Sequence, residues 1–327
     1  MRYAIRRLEF FVITLWAALT MNFIIPRVMP GNPAEAMLVR FHGRASPQTI
    51  HTMEIALGLH TNENIFQQYG DYLWNTAHLN LGTSLTFFPS SVGQAIMLGL
   101  PWTLALVGLS TVIGFVLGTL VGMLSAWRRG GLLDGILPPV FIVISAFPYF
   151  WIALITILIF AFILKWFPLG FGYDLDKQIS LSWDFIGNAL WHGFLPALTI
   201  VITSIGGWIL TMRNTMITTL AEDYVKMARA KGLSPIRIML MYAGRNAILP
   251  NLTGFAMSLG FVISGAILVE IVFNYPGLGY MLLQSVDNED FALMQGLFLL
   301  ITVAVLVAVL LADFLTAWLD PRTRDAD

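Results

Sequence analysis

Six long runs of mainly apolar residues constrain this chain more than any other feature. They cover about 9–29, 96–126, 135–164, 191–212, 250–273 and 293–315. A helix needs roughly 20 such residues to cross the apolar part of a bilayer. Only 11% of the residues are charged, against about 25% in a soluble globular domain. The pattern therefore predicts an all-α integral membrane protein with six transmembrane helices.

The basic residues between these runs predict which side of the membrane each loop occupies. Lysine and arginine concentrate in cytoplasmic loops, and 13 of the 18 fall on one side when the N-terminus is placed inside. Both termini are then cytoplasmic. Residues 1–29 form the N-terminus and first helix, 30–95 an extracytoplasmic region with short amphipathic helices, and 96–327 a core of five helices with a cytoplasmic loop at about 213–249.

This cytoplasmic loop contains two helical patterns separated by a break, in the stretch YVKMARAKGLSPIRIMLMYAGRNAILP. Gly232 can take the left-handed conformation that ends a helix. Ser234 is placed to cap the next helix, and Pro235 suits its first position. A basic amphipathic helix of this kind can rest on anionic lipid. Alternatively, the small side chains of Ala228 and Ala230 suit docking into a cleft of another protein.

Several features that other functions need are absent from the sequence. There is no G-x-x-x-x-G-K-[ST] stretch for nucleotide phosphates, and there is no cysteine. The external histidines His42, His51 and His60 are nine residues apart, which is not metal-ligand spacing. The net charge of −1 gives no indication of a nucleic-acid partner. We therefore predict that the chain binds no metal or cofactor and is not an enzyme.

The loop sequence resembles the cytoplasmic loop of ABC importer permeases of the dipeptide, oligopeptide and nickel family, in their B-type subunit. Further stretches carry the resemblance in the same order along nearly the whole chain: MPGNPAEAM, LGLHTNENIFQQYGDYLWN, SAFPYFWIAL, KWFPLGFG, LPALTI and VEIVFNYPGLGYMLLQSVDNEDF. The chain departs from the general pattern where Lys226 replaces a glutamate, and where LNLGTSL lacks an acidic residue common in this branch.

The resemblance implies a type I ABC importer permease, a multi-pass protein of the bacterial inner (plasma) membrane. The loop would form a coupling helix that contacts an ATPase, through residues Tyr224, Lys226, Ala228, Arg229, Ala230, Gly232, Leu233, Ser234 and Pro235. The implied partners are a second homologous permease, two cytoplasmic ATPase subunits that bind ATP and Mg²⁺, and an extracytoplasmic solute-binding protein. Di- or oligopeptides are the implied substrates, with nickel chelates or oligosaccharides as alternatives.

Four residues in or beside the apolar runs are candidates for lining a transport path, namely Glu270, Asn274, Pro148 and Phe150. An ionisable residue inside a membrane is costly and often functional, so Glu270 could meet a substrate amine or cation. The alternative is a structural carboxylate bonded to backbone or to a neighbouring helix. Pro148 lacks an amide proton in the middle of a run and predicts a kink.

Two other functions remain as rivals at this point. An ion-driven secondary transporter could use Glu270, but the sequence shows no inverted repeat. A membrane enzyme would need a cluster of polar catalytic groups at one depth, and the sequence offers none.

Overall fold

The computed structural model describes residues 2–28, 64–263 and 266–319. These parts consist of helices, turns and loops, with one isolated β-bridge between Thr83 and Ser91 and no strand. Most of the predicted extracytoplasmic region lies outside the described residues, together with the three external histidines His42, His51 and His60.

The helices account for most of the described chain. In chain order they are α1 (Arg2–Val28), α2 (Ile65–Ala77), α3 (Val92–Trp127), α4 (Leu132–Ser145), α5 (Tyr149–Ile163), α6 (Trp183–Leu220), α7 (Asp223–Ala230), α8 (235–247), α9 (Leu249–Gly260), α10 (Ile267–Val272), α11 (Leu278–Asp287) and α12 (Phe291–Leu319). The π-helical segments lie in α3, α5 and α8, at Leu104–Gly108, Ile157–Ile163 and Ile238–Gly244.

Within the described residues, four helices are long and apolar enough to cross a membrane: α1, α3, α6 and α12. A fifth crossing results if α4 and α5 form one span, although their axes differ by 101°. The all-helical membrane architecture is therefore confirmed. The predicted fifth run differs, because α9 ends at Gly260 and the short α10 begins only at Ile267.

The predicted kink at Pro148 is a complete break between two helices. Helix α4 ends at Ser145, and Pro148 has the extended angles φ −55° and ψ 128°. A proline disfavours the helical conformation of the residue before it and cannot donate to the preceding turn. The chain therefore changes direction at 146–148 and starts a new helix at Tyr149.

Helices α3 and α6 approach each other along a row of glycines. Gly114, Gly118 and Gly122 recur every fourth residue, so they share one face of α3. A Cβ added at Gly118 would lie 3.0 Å from the Ile205 carbonyl oxygen, and one at Gly122 would lie 2.6 Å from that of Ile209. Small residues at this spacing allow close backbone contact between membrane helices. This pair therefore forms the rigid centre of the molecule.

Candidate functional site

The loop that the sequence predicts to be cytoplasmic folds as helix α7, a tight turn and helix α8. Gly232 has φ +72°, the left-handed conformation expected of it, and its amide donates to the Arg229 carbonyl at 2.9 Å. Pro235 occupies the first turn of α8. Ser234 has the extended backbone of a capping residue, but its side chain makes no capping hydrogen bond. The turn is exposed, so water can satisfy the same amides.

One face of α7 packs against its own chain. Val225 and Ala228 are buried in a cluster with Met123 and Ala126 of α3 and Met216 of α6. Ala228 therefore lies inside this chain and not on the exposed face of α7. Its size instead lets α7 lie close to the ends of α3 and α6. A displacement of α7 must act directly on those two helices.

The opposite face of α7 is exposed and mixes apolar with charged side chains. Its exposed members are Tyr224, Lys226, Met227, Arg229 and Ala230. The Lys226 ammonium lies 2.9 Å from the Asp223 carboxylate and lowers the pKa of that carboxyl. The result is a short amphipathic helix that is anchored on one side and open to a partner on the other.

Glu270 belongs to the short helix α10, and its side chain lies against the amino end of α11. Its side chain is buried, and Oε1 accepts from the Thr103 hydroxyl at 2.8 Å while Oε2 accepts from the Gly279 amide at 2.6 Å. The Thr103 hydroxyl oxygen in turn accepts from the Leu278 amide at 2.8 Å. Helix amino ends carry unpaired amides and partial positive charge. The carboxylate therefore caps the amino end of α11. This arrangement corresponds to the alternative in which Glu270 is a structural carboxylate bonded to backbone and to a neighbouring helix.

An aromatic cluster packs near the segment that follows Glu270, whose carbonyl accepts from the Tyr275 amide at 2.8 Å. Trp102 stacks on Tyr173 and meets Tyr275 edge to face, with centroid separations of 5.5 and 5.7 Å. The Phe171 amide donates to the Phe273 carbonyl at 2.9 Å. Asn274 is exposed in this region and has φ +46°. The loop between α5 and α6 thus packs against Trp102 and against the segment that follows α10.

The same loop between α5 and α6 is fixed to α6 by a polar cluster. The His192 ring lies between the Gly170 carbonyl and the Asp174 carboxylate, at 3.0 and 3.1 Å. Asn188 donates to Asp174, and this hydrogen bond, followed by the one from His192, lowers the pKa of the Asp174 carboxyl.

An open cleft of about 360 Å³ lies at the break between α4 and α5. Its walls come from several elements, with the residues Val107, Ser145, Phe147, Pro148, Tyr149, Ile200, Thr203, Ser204 and Ala266. Ile200 and Thr203 lie near the midpoint of α6, and Val107 lies near the midpoint of α3. The cleft is therefore at mid-depth of the helical assembly.

Three irregular stretches of backbone meet at this cleft. They are the π-helical segment Leu104–Gly108, the break at 146–148 and the interruption between α9 and α10. Irregular backbone at membrane depth is tolerated where it is buried in protein or lines a water-filled cavity, and π-helical segments are frequent at functional sites. The cleft is the candidate for a substrate path.

The structure separates the four residues that the sequence grouped as path candidates. Pro148 lines the cleft. The half-buried Phe150 ring packs edge to face on Trp151, with centroids 6.3 Å apart, and does not line the cleft. Glu270 and Asn274 lie further out. Sequence reasoning missed Thr203 and Ser204, because hydroxyl residues within an apolar helix carry no distinctive signal.

This arrangement defines a helical membrane protein that has a short helix with one exposed face and a cleft among its long helices. Residues 118–325 match the family described as "Binding-protein-dependent transport system inner membrane component", and the chain belongs to this family.

Curated relatives align with the chain over almost its full length. The Di/tripeptide transport system permease protein DppB of Pseudomonas aeruginosa (strain UCBPP-PA14) is 32% identical over 332 residues, covering 98% of this chain and 97% of the relative. The Dipeptide transport system permease protein DppB of Lactococcus lactis subsp. cremoris (strain MG1363) is 31% identical over 327 residues, covering 99% of both. The protein of the same name from Alkalihalophilus pseudofirmus (strain ATCC BAA-2126 / JCM 17055 / OF4) is 31% identical over 337 residues, covering 98% and 99%.

Proposed function

We propose that this chain is the transmembrane permease subunit of an ATP-driven ABC importer for di- or oligopeptides in the bacterial inner membrane. Family membership and the peptide permeases among its relatives support the assignment. The observation that carries it is the two-sided helix α7. Its inner face packs on α3 and α6, and its outer face exposes Tyr224 and Met227.

Six crossings follow if α4 with α5, and α9 with α10, each count as one span. This topology puts both termini, α7 and α8 in the cytoplasm and the loop between α5 and α6 outside. The charge distribution supports it, because 13 of the 18 basic residues are then cytoplasmic.

The remaining subunits follow from the chemistry that the chain lacks. Its sequence has no phosphate-binding loop, so the ATP and Mg²⁺ that drive transport bind to two separate ATPase subunits. One of them contacts the exposed face of α7. A second homologous permease supplies the other half of the path, and an extracytoplasmic solute-binding protein delivers the peptide.

Two adjacent residues of α7 give a test of the docking face. Met227 is 60% exposed and Ala228 is 2% exposed. Met227→Asp should leave the melting temperature of the purified permease unchanged but abolish ATPase co-purification and peptide uptake in proteoliposomes. Ala228→Asp should lower the melting temperature, since it buries a charge. Normal ATPase association and uptake with Met227→Asp would contradict the docking role.

The energy source is tested in the same proteoliposomes with the wild-type complex. We expect dipeptide uptake that requires ATP and the solute-binding protein. Uptake that is driven by a proton or sodium gradient without ATP would exclude an ABC importer and favour a secondary transporter.

A further inference from the structure

The mid-depth cleft has walls without charge. The lining residues that carry a polar side-chain group are Ser145, Tyr149, Thr203 and Ser204, each with a hydroxyl, and the other lining side chains are apolar or aromatic. A transported peptide carries a positive amino end, a negative carboxyl end and side chains of either sign. Fixed charges in a site with little water interact strongly with such groups. A lining without charged side chains therefore neither attracts nor repels a peptide according to its charge.

A neighbouring carboxylate is kept out of the cleft. Ala266 lines the cleft, and Glu270 is one helical turn further on, with its amide bonded to the Ala266 carbonyl at 2.9 Å. Both oxygens of the Glu270 carboxylate are occupied by donors near the start of α11, from Thr103 and Gly279. The Glu270 carboxyl group is therefore directed at a helix end instead of at the cargo.

Thr203 has the chemistry of an uncharged contact. Its hydroxyl donates to carbonyl oxygens of its own helix, at 2.8 Å for Thr199 and 3.1 Å for Ile200. A hydroxyl oxygen that donates in this way still has lone pairs that can accept a hydrogen bond. Thr203 can thus accept from a peptide amide without leaving a donor unsatisfied when the cleft is empty.

The other hydroxyls of the cleft are less well placed for contact with cargo. The Ser204 hydroxyl lies 3.0 Å from the position of a Cβ at Gly114, in the interface with α3. The Ser145 hydroxyl lies against Gly206 in the interface with α6. Thr203 of α6 and Tyr149 at the start of α5 are therefore the main side-chain polar contacts.

We propose that Thr203 and Tyr149 form an uncharged, hydroxyl-bearing contact for peptide in transit, and that the absence of fixed charge here lets acidic and basic peptides pass equally. This inference rests on the proposed transport function. It attributes the ability of this half of the path to pass peptides of either charge to Thr203 and Tyr149.

The test places a charge at position 203 after the complex has assembled, so that folding is not perturbed. This chain has no cysteine, and cysteine is slightly smaller than threonine, so Thr203→Cys should not crowd the cleft. The assembled complex is treated with a methanethiosulfonate reagent that attaches either an ethylammonium or an ethylsulfonate group. Uptake of a lysine-containing and a glutamate-containing dipeptide is then measured at concentrations that saturate the binding protein.

We expect equal uptake of the two peptides before modification. The ethylsulfonate group should lower the ratio of acidic to basic peptide uptake by at least about tenfold, and the ethylammonium group should raise it similarly, because unit charges a few ångström apart interact by several kcal/mol at intermediate dielectric. The unsubstituted complex treated with each reagent controls for cysteines of the partners. Thr218→Cys, exposed near the cytoplasmic end of α6, controls for charge outside the cleft and should leave the ratio unchanged.

The outcomes separate this inference from the transport function itself. If the unmodified complex takes up no peptide, the proposed function fails. If it transports peptide but both reagents give the same uptake ratio, position 203 does not contact the cargo and the inference is wrong. Failure of either reagent to reach the introduced thiol at position 203 during transport would also overturn it, because a substrate contact must be accessible from water.

Discussion

At the residue scale, Glu270 illustrates how a membrane-embedded carboxylate can serve structure. Its side chain is 1% exposed, and its partners come from α3 and from the start of α11. Gly277 belongs to the same arrangement, since a Cβ there would collide with the Glu270 carboxylate. One carboxylate thereby joins three parts of the fold, one of which is distant in sequence.

The change Glu270→Gln tests this structural role. The amide of glutamine puts an N–H group against one of the donors that now face an oxygen. We expect a loss of about 1–3 kcal/mol of stability, measured as a lower melting temperature of the purified complex. Uptake per assembled complex should be unchanged. Asp71→Asn, on the exposed side of α2, is the control, and it should alter neither quantity. Reduced uptake with an unchanged melting temperature would instead favour a path role.

Gly232 gives a second prediction at this scale. The destabilisation caused by replacing this glycine can be assigned to backbone conformation alone. A Cβ added at Gly232 meets no atom within 4 Å, and φ is +72°. A side chain in this left-handed conformation costs roughly 1–2 kcal/mol, and a β-branched one is a strong outlier. Gly232→Val should leave the permease in the membrane but reduce ATPase association and uptake, with Gly232→Asn much milder.

Gly70 in α2 provides the matched control for that series. It also has no atom within 4 Å of an added Cβ, but it lies inside a helix with ordinary angles. Gly70→Ala should be neutral or slightly stabilising. Equal behaviour of Gly232→Val and wild type in ATPase association would show that the turn can change without uncoupling the loop.

At the element scale, the sequence predicts local features better than the shapes of membrane spans. Gly232 and Pro235 have the conformations that local chemistry demands. The break at 146–148 and the interruption after Gly260 lie inside apolar runs, and hydropathy carries no information on such a change of direction. The Glu270 and Thr103 partners are 167 residues apart, so no local pattern could pair them. The glycine row on α3, in contrast, is readable from its four-residue spacing.

Helix α12 has the same kind of carboxylate closure as α11. Asp290 is buried just before α12, and it accepts from the Leu293 amide at 3.0 Å. Its other oxygen accepts from the Ser84 hydroxyl at 2.6 Å and the Thr86 amide at 2.8 Å. This side chain therefore fixes the segment before α3 to the start of α12.

Replacement of Asp290 by alanine should be costly. The change removes a helix cap, worth about 1 kcal/mol, and leaves the Ser84 and Thr86 donors without an acceptor. We expect a total loss of about 2 kcal/mol or more, seen as a lower melting temperature and faster proteolysis of the segment before α3. Asp287→Ala, an exposed change at the end of α11, should have little effect. Similar melting curves for the two variants would contradict the capping role.

At the scale of the whole molecule, helix α7 and the cleft are supported by the same two helices. Helix α7 packs near the carboxyl ends of α3 and α6, and residues near the midpoints of these two helices line the cleft. The glycine row holds α3 and α6 together between those levels. Because closely packed interiors transmit strain, we expect a displacement of α7 by a partner to act on α3 and α6 and, through them, on the cleft.

The proposed topology can be tested with single cysteines, since the chain has none of its own. Ser90 precedes α3 and Ser234 lies in the turn between α7 and α8. With Ser90→Cys, an impermeant thiol reagent should label the chain from outside only. With Ser234→Cys, labelling should require access to the cytoplasmic side. The physical reason is the concentration of basic residues on the side of α7. Labelling of the Ser90→Cys variant only from the cytoplasmic side would reverse the orientation and remove α7 from the reach of a cytoplasmic ATPase.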